Sequence, residues 1–441
     1  MGKKIIVAGG GHGGIAAGAL LAKNGYDVTV YEKHKREDMG YDWTDIFDKK
    51  GLFAAGMEMP AEDKYKFKND MTFYSPNMNI GLRQHVPQDQ LEIQMERKEI
   101  YNHIISYAES CGVKFEYETD ILYPVMLGDR VAGIQTDKGT VYGDLVIDAA
   151  GMNSVIRRNL PEHLGIQNNV QPYEQFYVYR GFFNKTAECD EDKFKLLLLH
   201  QNQMGIYWVA AEENYTDALI GRFTPLSEED VDDALAYLRS INPHLGDELV
   251  RGGQFVNIPV RQPLGVMVAD GYAAIGDSAF MTVPVIGSGM ANAFKASKML
   301  ADAIIEDTTD SFSAETLWKY QRKYYKELGN GFAPLACVKL LLTRLYSDEL
   351  DYIFDSGILN ADDMTIGADS TDIGSILGGV TKESLKKKLV GLKNNPVVLK
   401  KVLRCVKELG AAVAVTNAMP KSYSRKSVNA WVKQYNNCFK H

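Results

Sequence analysis

Gly9, Gly11 and Gly14, with Glu32 eighteen residues past the last of them, are the residues whose types and spacing most directly imply chemistry. Gly9 permits a tight turn, Gly11 has no Cβ to obstruct a pyrophosphate, and Gly14 lets a helix pack closely on the preceding strand. The open amides and positive end of that helix would face phosphate oxygens, with His12 and Gly13 inside the same loop. Glu32, followed by Lys33, can accept hydrogen bonds from both hydroxyls of a ribose and would repel a 2′-phosphate. The flanks agree. Lys3 to Ala8 is an apolar, β-branched strand, Ile15 to Asn24 a close-packing helix, and Val28 to Glu32 a second strand. Together they predict a dinucleotide pocket without choosing between FAD and NAD.

Two further constellations bear on that choice. Gly271 to Ala279 reads as a strand ending in Gly276-Asp277, followed by Pro284-Val285-Ile286-Gly287-Ser288-Gly289-Met290. A flavin dinucleotide stretched across a sheet needs a carboxylate for its ribityl chain, which Asp277 can supply. It also needs a helix start beside the electron-poor ring, where amides around Gly289 and Met290 stabilise negative charge. Between the two motifs, Asp144 to Ser154 reads as a strand and a small-residue turn at Gly151, leading into Arg157-Arg158.

These motifs need positioning elements, which the rest of the chain supplies. A long insertion occupies Asp38 to Gln94, and a helix with Ile100, Ile104, Ile105 and Ala108 at helical spacing follows. Strands are expected at 114–117, 131–136, 140–142 and 145–147, with Asp137-Lys138-Gly139 as a hairpin turn. A second sheet is expected from 175–183, 195–200, 204–210 and 217–223, then a helix over 227–240 opened by Ser227 and acids. Extended pieces at 256–259 and 272–275 lead to a helix near 290–304. After Ser311 the chain reads as helical to its end, with a glycine-dotted stretch from Ile366 to Gly379.

The expected architecture is an α/β fold with three parts. Residues 1–170 and 250–305 form a discontinuous Rossmann-like FAD-binding domain. Residues 171–249 form an inserted β-rich substrate domain, to which part of 38–94 contributes, and residues 306–441 form a helical, basic C-terminal region.

Composition narrows the class. The 441 residues are 45% hydrophobic and 24% charged, as in ordinary globular proteins. No uninterrupted apolar stretch approaches the roughly eighteen residues of a membrane span, and the first strand leaves no room for a signal peptide, so a cytoplasmic protein is expected. Charge is uneven: Lys382 to His441 holds 14 basic residues against two acids, whereas residues 1–381 hold 35 against 55. Such a tail suits the acidic body, an anionic substrate, an acidic electron carrier or a membrane surface, and it carries no nucleic-acid signature. Cys111, Cys189, Cys337, Cys405 and Cys438 are scattered and odd in number, suggesting neither a disulfide framework nor a metal site. His85, His200 and His244 have no triad or metal spacing.

With these motifs in this order, residues 3 to 305 resemble the FAD-dependent oxidoreductases that include aromatic hydroxylases of the p-hydroxybenzoate type and the geranylgeranyl reductases. The resemblance implies a glutathione-reductase-type FAD fold, FAD contact by Gly9, Gly11 and Gly14, ribose binding by Glu32, a pyrophosphate-side contact from Arg97, Asp277 on the ribityl chain, and the Gly287 to Met290 turn under the isoalloxazine. Two details are similar to the reductases. Ala150-Gly151 stands where the hydroxylases carry Asp-Gly, and Tyr207-Trp208 looks like part of the reductase stretch Tyr-x-Trp-x-Phe-Pro, although the Phe-Pro is absent. The cysteine-rich segment of archaeal-type reductases is replaced by Met39 to Thr44.

On this resemblance the expected reaction is hydride transfer between flavin N5 and a carbon–carbon double bond of a largely apolar small molecule. Tyr207 and Trp208 are expected to wall the substrate chamber, with Tyr207 as a proton donor. Electrons would enter from NAD(P)H or from a reduced carrier protein, because no second dinucleotide fingerprint exists. Two alternatives stay open: a flavin-dependent monooxygenase using NAD(P)H and oxygen, and a flavin-bearing sensor or membrane-associated binding protein. Apolar and basic residues at helical spacing over 332–342 and 386–403 allow peripheral membrane contact.

Overall fold

The structure, a computed structural model, describes residues 2–68, 70–167, 169–364 and 382–439; the expected glycine-dotted stretch from Ile366 to Gly379 lies outside them. The amino-terminal apolar run becomes β1 (Lys4–Ala8), buried on both sides as a central parallel strand must be. It lies between β12 (Leu145–Asp148) and β2 (Asp27–Tyr31) in a six-stranded sheet completed by β8 (Lys114–Glu116), β18 (Val268–Ala269) and β19 (Tyr272–Ala274), in the order β18-β19-β12-β1-β2-β8. All neighbours are parallel except β18 and β19. Packing against α1 (His12–Ala22) are α3 (Arg97–Ser110) and α6 (Met290–Ile305). A meander of β9 (Ile121–Leu127), β10 (Arg130–Thr136) and β11 (Gly139–Tyr142) packs beside β12, with the expected turn at Asp137 to Gly139.

The second sheet has seven strands in the order β17-β13-β16-β15-β14-β5-β6: β5 (Thr72–Tyr74), β6 (Gly81–Arg83), β13 (Gln175–Lys185), β14 (Phe194–Leu198), β15 (Gly205–Ala211), β16 (Tyr215–Arg222) and β17 (Leu245–Pro259). The 38–94 insertion thus supplies two of its strands. It also supplies β3 (Thr44–Phe47) and β4 (Tyr65–Phe67), which flank β7 (Ile93–Glu96), and the short α2 (Lys50–Ala54). On one face of the large sheet lies α5 (Glu228–Ile241), its Val231, Ala234, Leu235 and Leu238 packed on Leu197, Tyr207, Val209, Ala218 and Ile220. Its start is a capping box: Ser227 Oγ accepts from the Asp230 amide and the Asp230 carboxylate accepts from the Ser227 amide.

One boundary differs from expectation. Strand β17 pairs with β13 from Lys185 opposite Leu245 to Gln175 opposite Pro259, so the chain returns to the nucleotide half after 259 and not at 250. As an edge strand, mostly solvent-facing and interrupted at Gly252 and Gly253, β17 lacks the buried alternation that betrays a strand.

The carboxyl-terminal region is helical as read, with α7 (Ala314–Tyr324), a π-turn over Tyr325–Gly329, α8 (Asn330–Leu342), α9 (Ser347–Asp355), α10 (Lys382–Asn394), α11 (Pro396–Asn417) and α12 (Arg425–Asn437). It brings together cysteines far apart in sequence: the Cys405 thiol donates to the Cys337 carbonyl at 3.5 Å. Burial pushes Cys337 up to about 12 and Cys405 up to about 11, so both stay neutral thiols.

The two halves of the cofactor-facing edge are tied together at Asp148, the fully buried last residue of β12. Its carboxylate accepts from Tyr272 Oη (2.8 Å), Ser154 Oγ (2.6 Å), Ser278 Oγ (3.0 Å) and the Ala150 amide (3.1 Å). Ser154 in turn caps α4 (Val155–Arg158), and the buried Arg157 donates to the Ser278 and Met152 carbonyls. Replacing Asp148 with Asn turns two acceptor lone-pair sites into donors that oppose hydroxyls. Asp148→Asn is expected to lower stability by about 2–3 kcal/mol in urea unfolding and to loosen flavin retention during gel filtration.

Candidate cofactor and substrate site

The phosphate loop is held by its own packing. A Cβ on Gly9 would stand 2.7 Å from Ala150 Cα, on Gly11 2.5 Å from the Ala149 carbonyl, and on Gly14 2.4 Å from Ala149 Cβ. Gly11 is therefore required first by the turn after β12, a reason additional to the approach of a pyrophosphate. Gly13 lies against Ala293 of α6, and Glu32 is buried at the end of β2, where it accepts from the Gly10 amide at 2.7 Å and the His34 amide at 2.9 Å. Lys33, next along, points out to solvent.

Two helices open toward this edge without any side-chain cap: α1 after Gly11 and α6 after Gly289. Their first-turn amides offer donors and positive potential to an anion. Asp277 and Gly276, after β19, lie with the Gly287 to Met290 turn on the same cleft. Asp277 is exposed to solvent, with protein packed around it. That surrounding protein raises its pKa, against the opposing pull of the Thr282 hydroxyl, which donates to it at 3.1 Å, and of Arg97. Gly151 completes the edge, its amide donating to Ser278 Oγ at 2.8 Å and its Cβ direction open.

Arg97, at the first position of α3, makes a two-pronged ion pair with Asp45 of β3, at 2.7 and 2.6 Å. Burial would raise the Asp45 carboxyl, but Arg97 draws it below its ordinary value. The Tyr41 ring lies 4.0 Å from the same guanidinium, and His12 stacks on Tyr101 with centroids 4.4 Å apart. Burial, reinforced by Arg97, pushes His12 down to about 3, so the imidazole is neutral, and its Nε2 has no protein partner. A neutral imidazole nitrogen left unsatisfied beside an uncapped helix start, the Asp277 carboxylate and a glycine cradle fits an adenine dinucleotide along this edge. Glu32 would hold the ribose, the α1 amides with His12 and Arg97 the pyrophosphate side, and Asp277 the ribityl chain.

The substrate sheet meets this edge through Arg180. Buried in β13, it pairs with Asp217 at 2.9 and 2.6 Å and donates to the Thr44 carbonyl and hydroxyl, locking β3 onto the sheet. Across the strands Arg180, Leu219 and Trp208 stand in one register, and side chains one residue along point to the other face. Trp208 accordingly shares Arg180's face, the guanidinium 5.0 Å from its ring, with Trp43, Phe182 and Ile206 nearby.

Tyr207 is on the opposite face, in the core beneath α5, its hydroxyl accepting from Arg222 at 2.8 and 3.2 Å. The expectation of Tyr207 as chamber wall and proton donor is therefore corrected: an adjacent strand residue cannot share Trp208's face. Sequence reading also missed Asp45, Thr44 and Arg180, whose roles rest on partners 37 to 136 residues away and leave no local signal; it placed Asp148 in the strand before the Gly151 turn but not as the acceptor shared with Tyr272 and Ser278.

Residues 7–58 match the family model for an NAD(P)-binding Rossmann-like domain. The chain is 25% identical over 385 residues to a digeranylgeranylglycerophospholipid reductase of Sulfolobus acidocaldarius, covering 84% of each chain. Identity is also 25% over 361 residues with the same-named protein of Haloferax volcanii, covering 77% of this chain and 85% of that one. Among solved structures, a geranylgeranyl bacteriochlorophyll reductase-like protein of Thermoplasma acidophilum superposes with a TM-score of 0.74 at 18% identity, over 90% of this chain and 99% of that one. A probable FAD-dependent monooxygenase of Pseudomonas aeruginosa gives 0.61 at 21%, over 80% and 100%. Fold and donor set together define an FAD-dependent oxidoreductase. More narrowly, over most of its length the chain is similar to reductases of the geranylgeranyl type.

Two substitutions separate cradle from scaffold. Glu32→Ala removes the carboxylate expected to meet the ribose and is expected to raise the FAD dissociation constant about tenfold to a hundredfold, read by flavin fluorescence during titration of apoprotein. Tyr207→Phe is expected to leave that constant unchanged and to cost only about 1 kcal/mol in unfolding.

Proposed function

We propose that the protein is a reductase moving hydride between FAD and a carbon–carbon double bond of a largely apolar small molecule, an unsaturated isoprenoid chain being the class named in its relatives. The observation that carries this reading is the face Trp208 shares with Trp43, Phe176, Val178, Ile206 and Ile258. It is an apolar surface meeting the cofactor edge at two points, through Arg180 to Thr44 and through Ile258, which lies 3.6 Å from where a Gly287 Cβ would be. Such a surface favours hydrocarbon and excludes water.

When bound, FAD supplies the two-electron hydride chemistry of its ring. This chain's residues orient and protonate. Asp277 and the Gly289 and Met290 amides would hold the ring end, Arg97 is fixed by Asp45, and Trp208 with Trp43 would wall the substrate side. Tyr41 stands between the two sides, its ring on Arg97 and 5.0 Å from Trp43. Burial, partly offset by Arg97, pushes its hydroxyl up to about 12, so it stays protonated at neutral pH and can give a proton to the carbon beside the hydride acceptor. Electrons enter from NAD(P)H or a reduced carrier protein. Ala150 in place of an acid before Gly151 argues against the hydroxylase alternative.

The test is anaerobic photoreduction followed by unsaturated acceptors. Recovery of the oxidised flavin spectrum with a saturated product is expected; recovery only with oxygen, with a hydroxylated product, would overturn the reading. In the same assay Tyr41→Phe is expected to slow turnover about a hundredfold without changing FAD content, and Trp208→Ala to raise KM more than it lowers kcat. Comparing NADH, NADPH and a reduced carrier as sole electron source identifies the donor.

A further inference from the structure

We infer that the outward face of α11, extended by α10, is a docking surface for an anionic lipid bilayer. The inward side of α11 is accounted for: Val398, Cys405, Ala412 and Val415 are buried, and Lys401 and Glu408 are paired with Glu349 and Arg344. The outward side is not. Val397 is 58% exposed, Leu403 57% and Val406 59%, and on α10 Leu389 and Val390 are 49% and 52% exposed. Among the described residues nothing covers them.

Interleaved with these apolar side chains stand Lys386, Lys393, Lys400 and Lys407, each seven residues from the next, with Arg404 beside them. Seven residues are two helical turns, so within each helix the repeat keeps one azimuth. All four lysines are exposed and none makes an ion pair among the described residues. The only acids from 382 onward are Glu383 and Glu408, and Glu408 is held by Arg344 and Arg404. The face therefore combines uncompensated positive charge with isolated Leu and Val side chains.

A protein partner's interface core is depleted of lysine, whereas a bilayer surface rewards this mixture: lysines reach anionic headgroups while their stems and the neighbouring leucines enter the acyl boundary. The 22 residues of α11 could lie along a surface, and no described helix is long and apolar enough to cross a membrane. The inference stands apart from the proposed reaction, since it concerns where the protein sits and not what it reduces.

The test is co-sedimentation of the full-length, FAD-loaded protein with vesicles of phosphatidylcholine alone or mixed with phosphatidylglycerol. Binding to the mixed vesicles, weakened by salt, is expected, with little binding to the neutral ones. Lys400→Glu with Lys407→Glu is expected to lower partitioning at least about tenfold, and Leu403→Glu to lower it as well, with FAD content and turnover of a soluble acceptor unchanged. Three results would overturn the inference: no sedimentation with mixed vesicles at low salt, undiminished binding by the variants, or variants that bind vesicles normally but lose electron delivery from an acidic carrier protein.

Discussion

The buried carboxylate of Asp148 is the constraint on which the rest of the cofactor edge depends. Three chain segments that approach one another only in the folded state, the ends of β12 and β19 and the start of α4, each place a donor on it. Without that shared acceptor the Tyr272 hydroxyl would be buried without a partner, a cost of about 1–3 kcal/mol, and Ser154 and Ser278 would each lose the carboxylate to which they donate. Because the carboxylate joins the turn at Gly151 to the one at Asp277, its geometry sets the spacing between two points that a long ligand must touch at once. Fixing that spacing before binding removes an ordering cost from the binding step.

A second chain of contacts carries this rigidity toward the substrate side. Arg180 is buried with Asp217 and also with the Thr44 carbonyl and hydroxyl, so its donors are satisfied in a low-dielectric setting where an unmatched charge would be expensive. Thr44 precedes Asp45, and Asp45 holds Arg97. A displacement of the large sheet is therefore felt one residue along, through Asp45, at the guanidinium expected to face the pyrophosphate. Arg180 is also packed among Trp43, Phe182 and Trp208, so polar alignment and apolar wall are parts of one assembly.

What could be read in the chain, and what could not, follows from the range of the forces involved. The glycine loop, Glu32 and Asp277 were legible because strand, turn and helix encode them within thirty-odd residues, and the capping box at Ser227 marked α5 to within one residue. The face of Tyr207 was not. Alternation along β15 separates two faces, but both are lined with apolar and aromatic side chains, and only the docking of α5 decides which is interior scaffold. Edge strand β17 was read only over its last four residues, because solvent exposure and two glycines erase its period before them. The convergence of Cys337 with Cys405 was invisible because helix packing, not spacing, creates it.

The glycines illustrate how ligand and scaffold requirements merge. At Gly9, Gly11 and Gly14 the space a side chain would need is already filled by Ala149, Ala150 or Val7, so the loop's shape is enforced by protein atoms whatever lies above it. Gly151 is the contrast: nothing lies within 4 Å of its Cβ direction, while its backbone sits at φ +83°. There the demand is conformational, because the left-handed turn aims its amide at Ser278 and so back to Asp148. A cradle built this way holds its form without its ligand. Its selectivity would then come from the chemical groups it presents: the buried Glu32 carboxylate at one end, a neutral imidazole and open helix amides at the centre, and the exposed Asp277 carboxylate at the other.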